Sequence, residues 1–187
     1  RPASVHVKHS FQTNGTLIDA DWCALFKEWS VGVGVSLDGP RELHDLHRKS
    51  RSGKGTFDKT IAGIRALHEN DVEFHVISVL SHTSLDRPQE LLDFYLSEGI
   101  DQICFNVEES EGDHVSSLFH GLELRKRYAA FLRSFWHLAR RSGRVRFVRE
   151  IDLALPRLFR PEGVPARNIQ VEPLAMLNVD SHGNVSS

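Results

Sequence analysis

Short runs rich in β-branched and aromatic residues alternate with segments of helical spacing along most of this chain. The β-rich runs lie at residues 5–12, 31–37, 72–81 and 101–107. Parallel neighbouring strands cannot be joined by a tight turn, so this alternating order predicts right-handed βαβ crossovers and a parallel sheet. The fold class is therefore α/β, and the candidate architectures are a (β/α) barrel and a doubly wound sheet.

Between the β-rich runs, apolar residues recur at three- and four-residue intervals, which predicts amphipathic helices. The first begins near Asp19, a residue suited to the N-cap position. We expect its apolar face to pack against the sheet, and that face comprises Trp22, Leu25, Phe26 and Trp29. Further helices are predicted at residues 56–70, 88–98, 122–141 and 151–159, the last broken at Pro156.

Charge and composition argue against several classes of function. The chain has 23 Lys and Arg against 25 Asp and Glu, a net charge of -2, so no strong field draws it to nucleic acid and no such partner is expected. Its longest apolar run, residues 31–37, is too short to span a bilayer, and its first residues lack a signal-peptide pattern. We therefore expect a cytoplasmic location and no membrane partner.

The cysteine and histidine content predicts no complete metal site. Two cysteines, Cys23 and Cys104, cannot by themselves form a disulfide framework, a zinc site or a cluster site. Cys104 lies in an apolar run, which is typical of a buried, unreactive thiol. His44 and His47 are three residues apart, but no third ligand lies near them in sequence.

Polar and turn-forming residues follow the first two predicted strands. Asn14 and Gly15 end the sequence QTNG, and Ser36 and Asp38 lie within VSLDGP at residues 35–40. Parallel βα folds bind ligands at the C-terminal ends of their strands, so these side chains are expected at one mouth. The residues alone leave two interpretations open, turn formation and ligand binding.

The order of these motifs resembles that of radical S-adenosylmethionine enzymes bearing a SPASM domain, a group that includes sulfatase-maturating enzymes. QTNG and VSLDGP are followed by His44-Asp45, by Arg48 and by GKGTFD at residues 53–58. The similarity extends from about residue 11 to 107, and residues 178–185 resemble the entry hairpin of a SPASM region. A narrower similarity, through residues 108–112 and 172–180, is to peptide maturases that form cyclophanes.

The resemblance implies a partial radical S-adenosylmethionine barrel, comprising strands three to six of a six-stranded (β/α) barrel and the start of a SPASM-like module. The expected domains are the barrel at 1–142, a linker with a short helix at 143–170 and the SPASM-like start at 171–187. The chain lacks the CxxxCxxC motif that binds the cluster in this family. The resemblance therefore implies a fragment whose first strand is an unpaired edge.

The resemblance also implies which residues bind S-adenosylmethionine. Ser36 and Arg48 match the residues that hold its ribose and its carboxylate, and arginine suits a carboxylate as a bidentate donor. Phe105 would lie near the adenine. The full set of expected cofactor-binding residues is Ser36, Arg48, Asn14, Gly15, Asp38 and Phe105. From the residues alone, Arg48 is explained as a surface charge in the basic run 48–51.

The implied cofactors are S-adenosylmethionine and a 4Fe-4S cluster, which together generate a 5′-deoxyadenosyl radical that abstracts hydrogen from a substrate carbon. The implied partners are a peptide or protein substrate and an upstream half or partner chain; no catalytic residue is assigned. One alternative is a non-catalytic remnant or partner-binding module that pairs through its open edge. Another is an unrelated α/β-barrel enzyme. Glu108, Glu109, Glu111 and His114 form either a solvated acidic loop or a surface facing the substrate.

Overall fold

The computed structural model describes residues 8–108, 122–159, 178–179 and 182–186. The strands are β1 (Ser10–Thr13), β2 (Gly32–Ser36), β3 (Phe74–Leu80), β4 (Gln102–Val107), β5 (Phe147–Val148), β6 (Asn178–Val179) and β7 (Val185–Ser186). The helices are α1 (Ala20–Glu28), α2 (Arg41–His47), α3 (Phe57–Glu69), α4 (Pro88–Ser97), α5 (Leu122–Ser142), α6 (Arg149–Asp152) and α7 (Ala154–Phe159).

The first five strands form one parallel sheet in the order β1-β2-β3-β4-β5. This confirms the predicted α/β class and the parallel pairing. β5 lies within residues 143–170, which the sequence predicts to be a linker with a short helix. A strand of two residues is too short to show any hydrophobic periodicity, so no sequence signal marks it.

The sheet has two chemically different faces because successive strand residues point to opposite sides. On the outer face, residues such as Val35, Val76 and Ile103 join the hydrophobic core with the helices. The inner face carries the alternate positions, which are Gly34, Ser36, Ile77 and Cys104. Ile77 and Cys104 are buried without belonging to that core. The burial of Cys104 agrees with the prediction, and burial raises the pKa of its thiol to about 11.

Helix α1 begins as predicted but does not bury the predicted face. Its first turn is capped by Asp19, whose Oδ1 accepts a hydrogen bond of 3.0 Å from the Trp22 N–H. Phe26 is buried, whereas Trp22, Leu25 and Trp29 are 44%, 39% and 58% exposed. The prediction that all four side chains pack against the sheet is therefore wrong for three of them. Among the described strands β1 lies at the edge of the sheet, so the described residues cover only part of the α1 surface.

The remaining helices agree with the sequence to within about two residues, apart from the shortest ones. Gly99, with a φ of 72°, follows α4 as the predicted terminating glycine. The helix predicted over residues 151–159 was expected to break at Pro156. The break lies at Leu153 instead, between α6 and α7. α2 was not predicted, because its seven residues carry little periodic signal.

The first two residues of α6 close the edge of β4 where β5 ends. The Phe105 N–H donates to Glu150 Oε2 at 3.0 Å, and the Phe105 carbonyl accepts a hydrogen bond of 2.9 Å from Arg149 Nη2. Two side chains thus satisfy backbone groups that a longer β5 would have paired. An exposed strand edge is a template for further pairing, and this one is blocked by charge.

The chain divides into two compact units, Arg1–Asp152 and Leu153–Ser187. Within the second unit, β6 and β7 pair antiparallel with Val179 opposite Val185, as the predicted hairpin requires. Whether this hairpin begins a SPASM module stays a prediction. Among the described helices, none combines the length and the apolar character that crossing a bilayer demands.

Candidate functional site

A cavity of about 200 Å³ lies at the C-terminal ends of β2, β3 and β4. Its lining residues are Asp38, His47, Arg48, Val79, Ser81 and Glu108. This is the end at which parallel βα folds bind their ligands. A larger cavity of about 330 Å³ opens at the opposite ends of β3 and β4, around Phe74 and Asp101, and holds none of the predicted site residues.

Asp38 and Arg48 form a partly buried, bidentate ion pair at this cavity. Arg48 Nε donates to Asp38 Oδ2 at 2.6 Å, and Arg48 Nη2 donates to Asp38 Oδ1 at 3.0 Å. The Asp38 side chain is only 7% exposed and that of Arg48 is 26% exposed. Asp38 Oδ1 also accepts the Val79 N–H at 2.9 Å. A buried carboxylate needs this compensation, because charges are costly to remove from water.

His44, which is buried, connects the backbone N–H of Asp38 to the backbone carbonyl of Arg48 through Thr56. His44 Nδ1 accepts the Asp38 N–H at 3.5 Å, so its Nε2 carries the proton and donates to Thr56 Oγ1 at 3.0 Å. The Thr56 hydroxyl in turn donates to the Arg48 carbonyl at 3.1 Å. Burial lowers the pKa of His44, as does the nearby Arg48 charge, although Asp38 and Asp45 oppose the shift.

We expect the free energy of unfolding to decrease as the pH falls below 6.5, the ordinary pKa of histidine. Burial lowers the pKa of His44 in the folded chain, so the unfolded chain binds more protons in this pH range and is favoured. Urea denaturation above and below pH 6.5 measures the effect. His44→Gln should reduce the pH dependence, and the remainder should include His75, because burial lowers its pKa as well. His47→Gln, at an exposed position of the same helix, is the control and should keep the wild-type dependence.

The structure brings most of the predicted site residues to one end of the sheet. Ser36, buried, ends β2 on the inner face, and Asn14 follows β1 at the same level, because Thr13 pairs with Val35. Asn14 Oδ1 accepts the Thr16 N–H at 3.1 Å, so this amide has the turn role that the residues alone allow. Gly15 adopts a left-handed φ of 75° there.

Phe105 is not brought to the cavity. Its side chain is 1% exposed and lies on the outer face, where its ring contacts those of Phe131 and Phe135 at centroid distances of 5.0 and 4.8 Å. Strand alternation could have shown this, because Ile103, Phe105 and Val107 form the apolar side of β4. The other side carries Cys104 and Asn106, and Glu108 continues it into the cavity.

The sequence allows two interpretations of the acidic segment that begins at Glu108, a solvated loop and a surface facing the substrate. Glu108 is buried and lines the cavity, which favours a role facing a ligand over a solvated one. Glu109, Glu111 and His114 lie outside the described residues. Sequence reasoning missed Thr56 and the hydrogen-bonding role of His44, because neither contact has a sequence signature.

The residues fit one of the two implied cofactors. An arginine at the cavity suits the carboxylate of S-adenosylmethionine. A 4Fe-4S cluster needs three or four thiolates, whereas Cys23 and Cys104 lie apart in sequence on α1 and β4, and burial raises the pKa of both. This chain's own cysteines therefore do not fit the cluster. Among the described residues, no three His, Cys, Asp or Glu side chains are grouped to hold a metal ion.

Comparison with known proteins identifies the family. Residues 3–95 match the model of the radical SAM superfamily. A protein of Synechocystis with no characterised function is 38% identical over 96% of this chain and 45% of its own length. The serine-type anaerobic sulfatase-maturating enzyme of Bacteroides thetaiotaomicron is 35% identical over 63% of this chain and 30% of its own length. The chain thus spans less than half of either relative.

A solved structure supports the same relationship. The structure of anSMEcpe with bound AdoMet, which is S-adenosylmethionine, superposes with a TM-score of 0.73 at 26% identity, covering 84% of this chain and 44% of that one. A second structure of anSMEcpe holds both AdoMet and the Cp18Cys peptide, and it superposes with the same TM-score. The ordered motifs, the parallel sheet and these matches agree: the chain belongs to the radical SAM superfamily and is homologous to the anaerobic sulfatase-maturating enzymes.

Proposed function

We propose that this chain forms the S-adenosylmethionine-binding part of an enzyme that modifies a peptide or protein by radical hydrogen abstraction. The cofactors of the superfamily are S-adenosylmethionine and a 4Fe-4S cluster, which together supply a 5′-deoxyadenosyl radical that takes a hydrogen atom from a substrate carbon. The observation that carries the proposal is Arg48, a fixed guanidinium at a cavity on the C-terminal side of the sheet.

Arg48 and the residues at the C-terminal ends of β1 and β2 suit the amino-acid and ribose parts of S-adenosylmethionine. Arg48 supplies charge-assisted donors to the carboxylate, and the Ser36 hydroxyl, at the end of β2, supplies a hydrogen-bonding group for the ribose. Asn14 and Gly15 shape the neighbouring end of β1. Since the Phe105 side chain faces the helices, the adenine would meet the inner side of β4, where Asn106 lies.

The proteins to which this chain is similar support a peptide or protein substrate. The homologous Bacteroides enzyme is named for maturing sulfatases, and anSMEcpe binds a peptide together with AdoMet. His47 and Glu108 line the same cavity as Arg48 and can offer a peptide a hydrogen-bond donor and an acceptor.

Production of 5′-deoxyadenosine tests the proposal. The full-length protein, reconstituted anaerobically with iron and sulfide and then reduced, should convert S-adenosylmethionine to 5′-deoxyadenosine, measured by chromatography. Arg48→Gln should lower the rate at subsaturating S-adenosylmethionine by roughly tenfold to a hundredfold, because a charged hydrogen-bonding partner of the carboxylate is lost. Arg51→Gln, at an exposed position three residues away, should leave the rate unchanged. Equal loss in both variants, or no loss in Arg48→Gln, would contradict the proposed role.

A second candidate function, a non-catalytic binding module, is favoured by the surface around β1. Among the described strands, β1 lies at one edge of the sheet, and Phe11, Trp22 and Trp29 are exposed there. Exposed aromatic residues next to an unpaired edge suit pairing with another polypeptide, such as an upstream half or a partner chain. If the full-length protein holds its cluster but forms no 5′-deoxyadenosine, this second function becomes the better one.

A further inference from the structure

We infer that Asp38 is a positioning residue that locks Arg48 by one edge of its guanidinium, so that the other edge is presented to the α-carboxylate of S-adenosylmethionine. The inference rests on the proposed function, because it assumes that Arg48 meets this carboxylate. The two edges of the guanidinium then have different partners: Asp38 binds one edge, and the other edge binds the ligand.

The geometry of the Asp38–Arg48 pair leaves three of the five guanidinium donors available. Asp38 takes one N–H from Nε and one from Nη2, which is the side-on edge. A guanidinium has five N–H donors in a planar fork, so both donors of Nη1 and the second donor of Nη2 remain. Within the described part of the chain, no other acceptor is bonded to Arg48. The end-on edge can therefore bind a second carboxylate bidentately without displacing Asp38.

Asp38 is itself held by more contacts than an ion pair requires. Its Oδ1 accepts the Val79 N–H from β3, and its own N–H donates to His44 Nδ1. The preceding residue, Leu37, is bonded on both sides, because its N–H donates to the Ile77 carbonyl at 3.1 Å and its carbonyl accepts the Tyr95 hydroxyl at 3.2 Å. Because these contacts tie the segment after β2 to β3, α2 and α4, Asp38 is a rigid anchor for the arginine.

The backbone of Arg48 is fixed by the same network. Its carbonyl accepts hydrogen bonds from both the N–H and the hydroxyl of Thr56, at 3.2 and 3.1 Å, and that hydroxyl is also bonded to His44. Arg48 follows the last turn of α2, so these contacts fix the backbone position from which its side chain extends. Because Asp38 holds the guanidinium and Thr56 holds the backbone of Arg48 before a ligand binds, less conformational entropy is lost on binding.

The test compares two ligands that differ only in the carboxylate, S-adenosylmethionine and decarboxylated S-adenosylmethionine. Their dissociation constants are measured by equilibrium dialysis on the full-length protein without cluster reconstitution. The wild type should prefer S-adenosylmethionine by roughly tenfold to a hundredfold, the range for a charged hydrogen-bonding contact. Asp38→Asn should bring this preference close to one while leaving the affinity for the decarboxylated ligand unchanged.

A matched control separates positioning from a general loss of structure. Asp58 pairs with both terminal nitrogens of Arg41 in a similar bidentate contact, but on an exposed surface, so Asp58→Asn should keep the wild-type preference. Thr56→Val removes the hydroxyl bonded to the Arg48 carbonyl without touching the guanidinium. It should reduce the preference partially, and it keeps the inference testable if Asp38→Asn does not fold.

The possible outcomes separate this inference from the proposed function. If the wild type prefers S-adenosylmethionine and Asp38→Asn retains that preference, Asp38 does not position Arg48 and the inference is overturned while the proposed function stands. If Asp38→Asn cannot be folded, full retention of the preference in Thr56→Val overturns it in the same way. If the wild type itself shows no preference, Arg48 does not meet the carboxylate, and both the proposed role of Arg48 and the inference fail.

Discussion

Replacement of Gly63 with alanine is expected to lower the free energy of unfolding by about 2–3 kcal/mol, the upper part of the range for overpacking. Gly63 lies within α3, and a Cβ added there would come within 2.1 Å of the Gly15 carbonyl oxygen. The obstacle is backbone, so no side-chain rotamer can relieve the clash. Urea denaturation followed by circular dichroism measures the change.

Helix propensity predicts the opposite sign, which makes this substitution informative. Glycine within a helix is less stable than alanine by about 1 kcal/mol, so Gly63→Ala would be stabilising if α3 were free of tertiary contacts. Ala62→Gly, at the exposed neighbouring position, should lose about 1 kcal/mol by propensity alone. A stabilised Gly63→Ala would mean that the loop after β1 moves away from α3 without cost, contrary to the close contact described.

This contact also connects the packing of α3 with the end of the sheet that carries the site. Thr60, one turn before Gly63, donates its hydroxyl to the Asn14 carbonyl at 2.9 Å. α3 therefore fixes Asn14 through a hydrogen bond and Gly15 through close approach. We expect Gly63→Ala to disturb the cavity-facing end of β1 as well as the stability of the fold.

Much of the architecture follows from hydrophobic periodicity in the sequence. α3 and α5 were predictable because their apolar residues recur over three or more turns, and β3 because its run of β-branched residues is long. α2 and β5 were not, because seven and two residues are too few to establish a period. The prediction that the apolar face of α1 is buried was wrong for another reason. Periodicity identifies an apolar face, but it does not show whether a neighbouring element covers that face.

The candidate site was predictable only in part. The strand ends that carry Asn14, Ser36 and Asp38 follow from the parallel βα order, and the resemblance to a family indicated Arg48. The pairing of Asp38 with Arg48 depends on the path of α2 and the turn after it, which no local pattern specifies. Phe105 could have been excluded from the cavity by alternation along β4, a test available from the sequence alone.

Removal of either partner of the Asp38–Arg48 pair is expected to lower the free energy of unfolding by about 3 kcal/mol, the lower end of the range for breaking a buried ion pair. Asp38→Ala leaves the Arg48 guanidinium without its buried counter-ion and the Val79 N–H without its acceptor. Arg48→Met leaves the Asp38 carboxylate buried with only the Val79 N–H as a hydrogen-bond donor among the described residues. Arg48 is 26% exposed, which keeps the expected loss from being larger.

The double variant Asp38→Ala/Arg48→Met separates the ion pair from the cavity that each truncation creates. Once both charges are gone, no uncompensated charge stays buried, so the combined loss should be smaller than the sum of the single losses by at least about 1 kcal/mol. The same cycle on Arg41 and Asp58, which form an exposed pair, should show no measurable coupling. Additive losses at Asp38 and Arg48 would mean that water screens this pair as it screens the exposed one. The guanidinium would then not be held by Asp38, and the division of its two edges between protein and ligand would lose its physical basis.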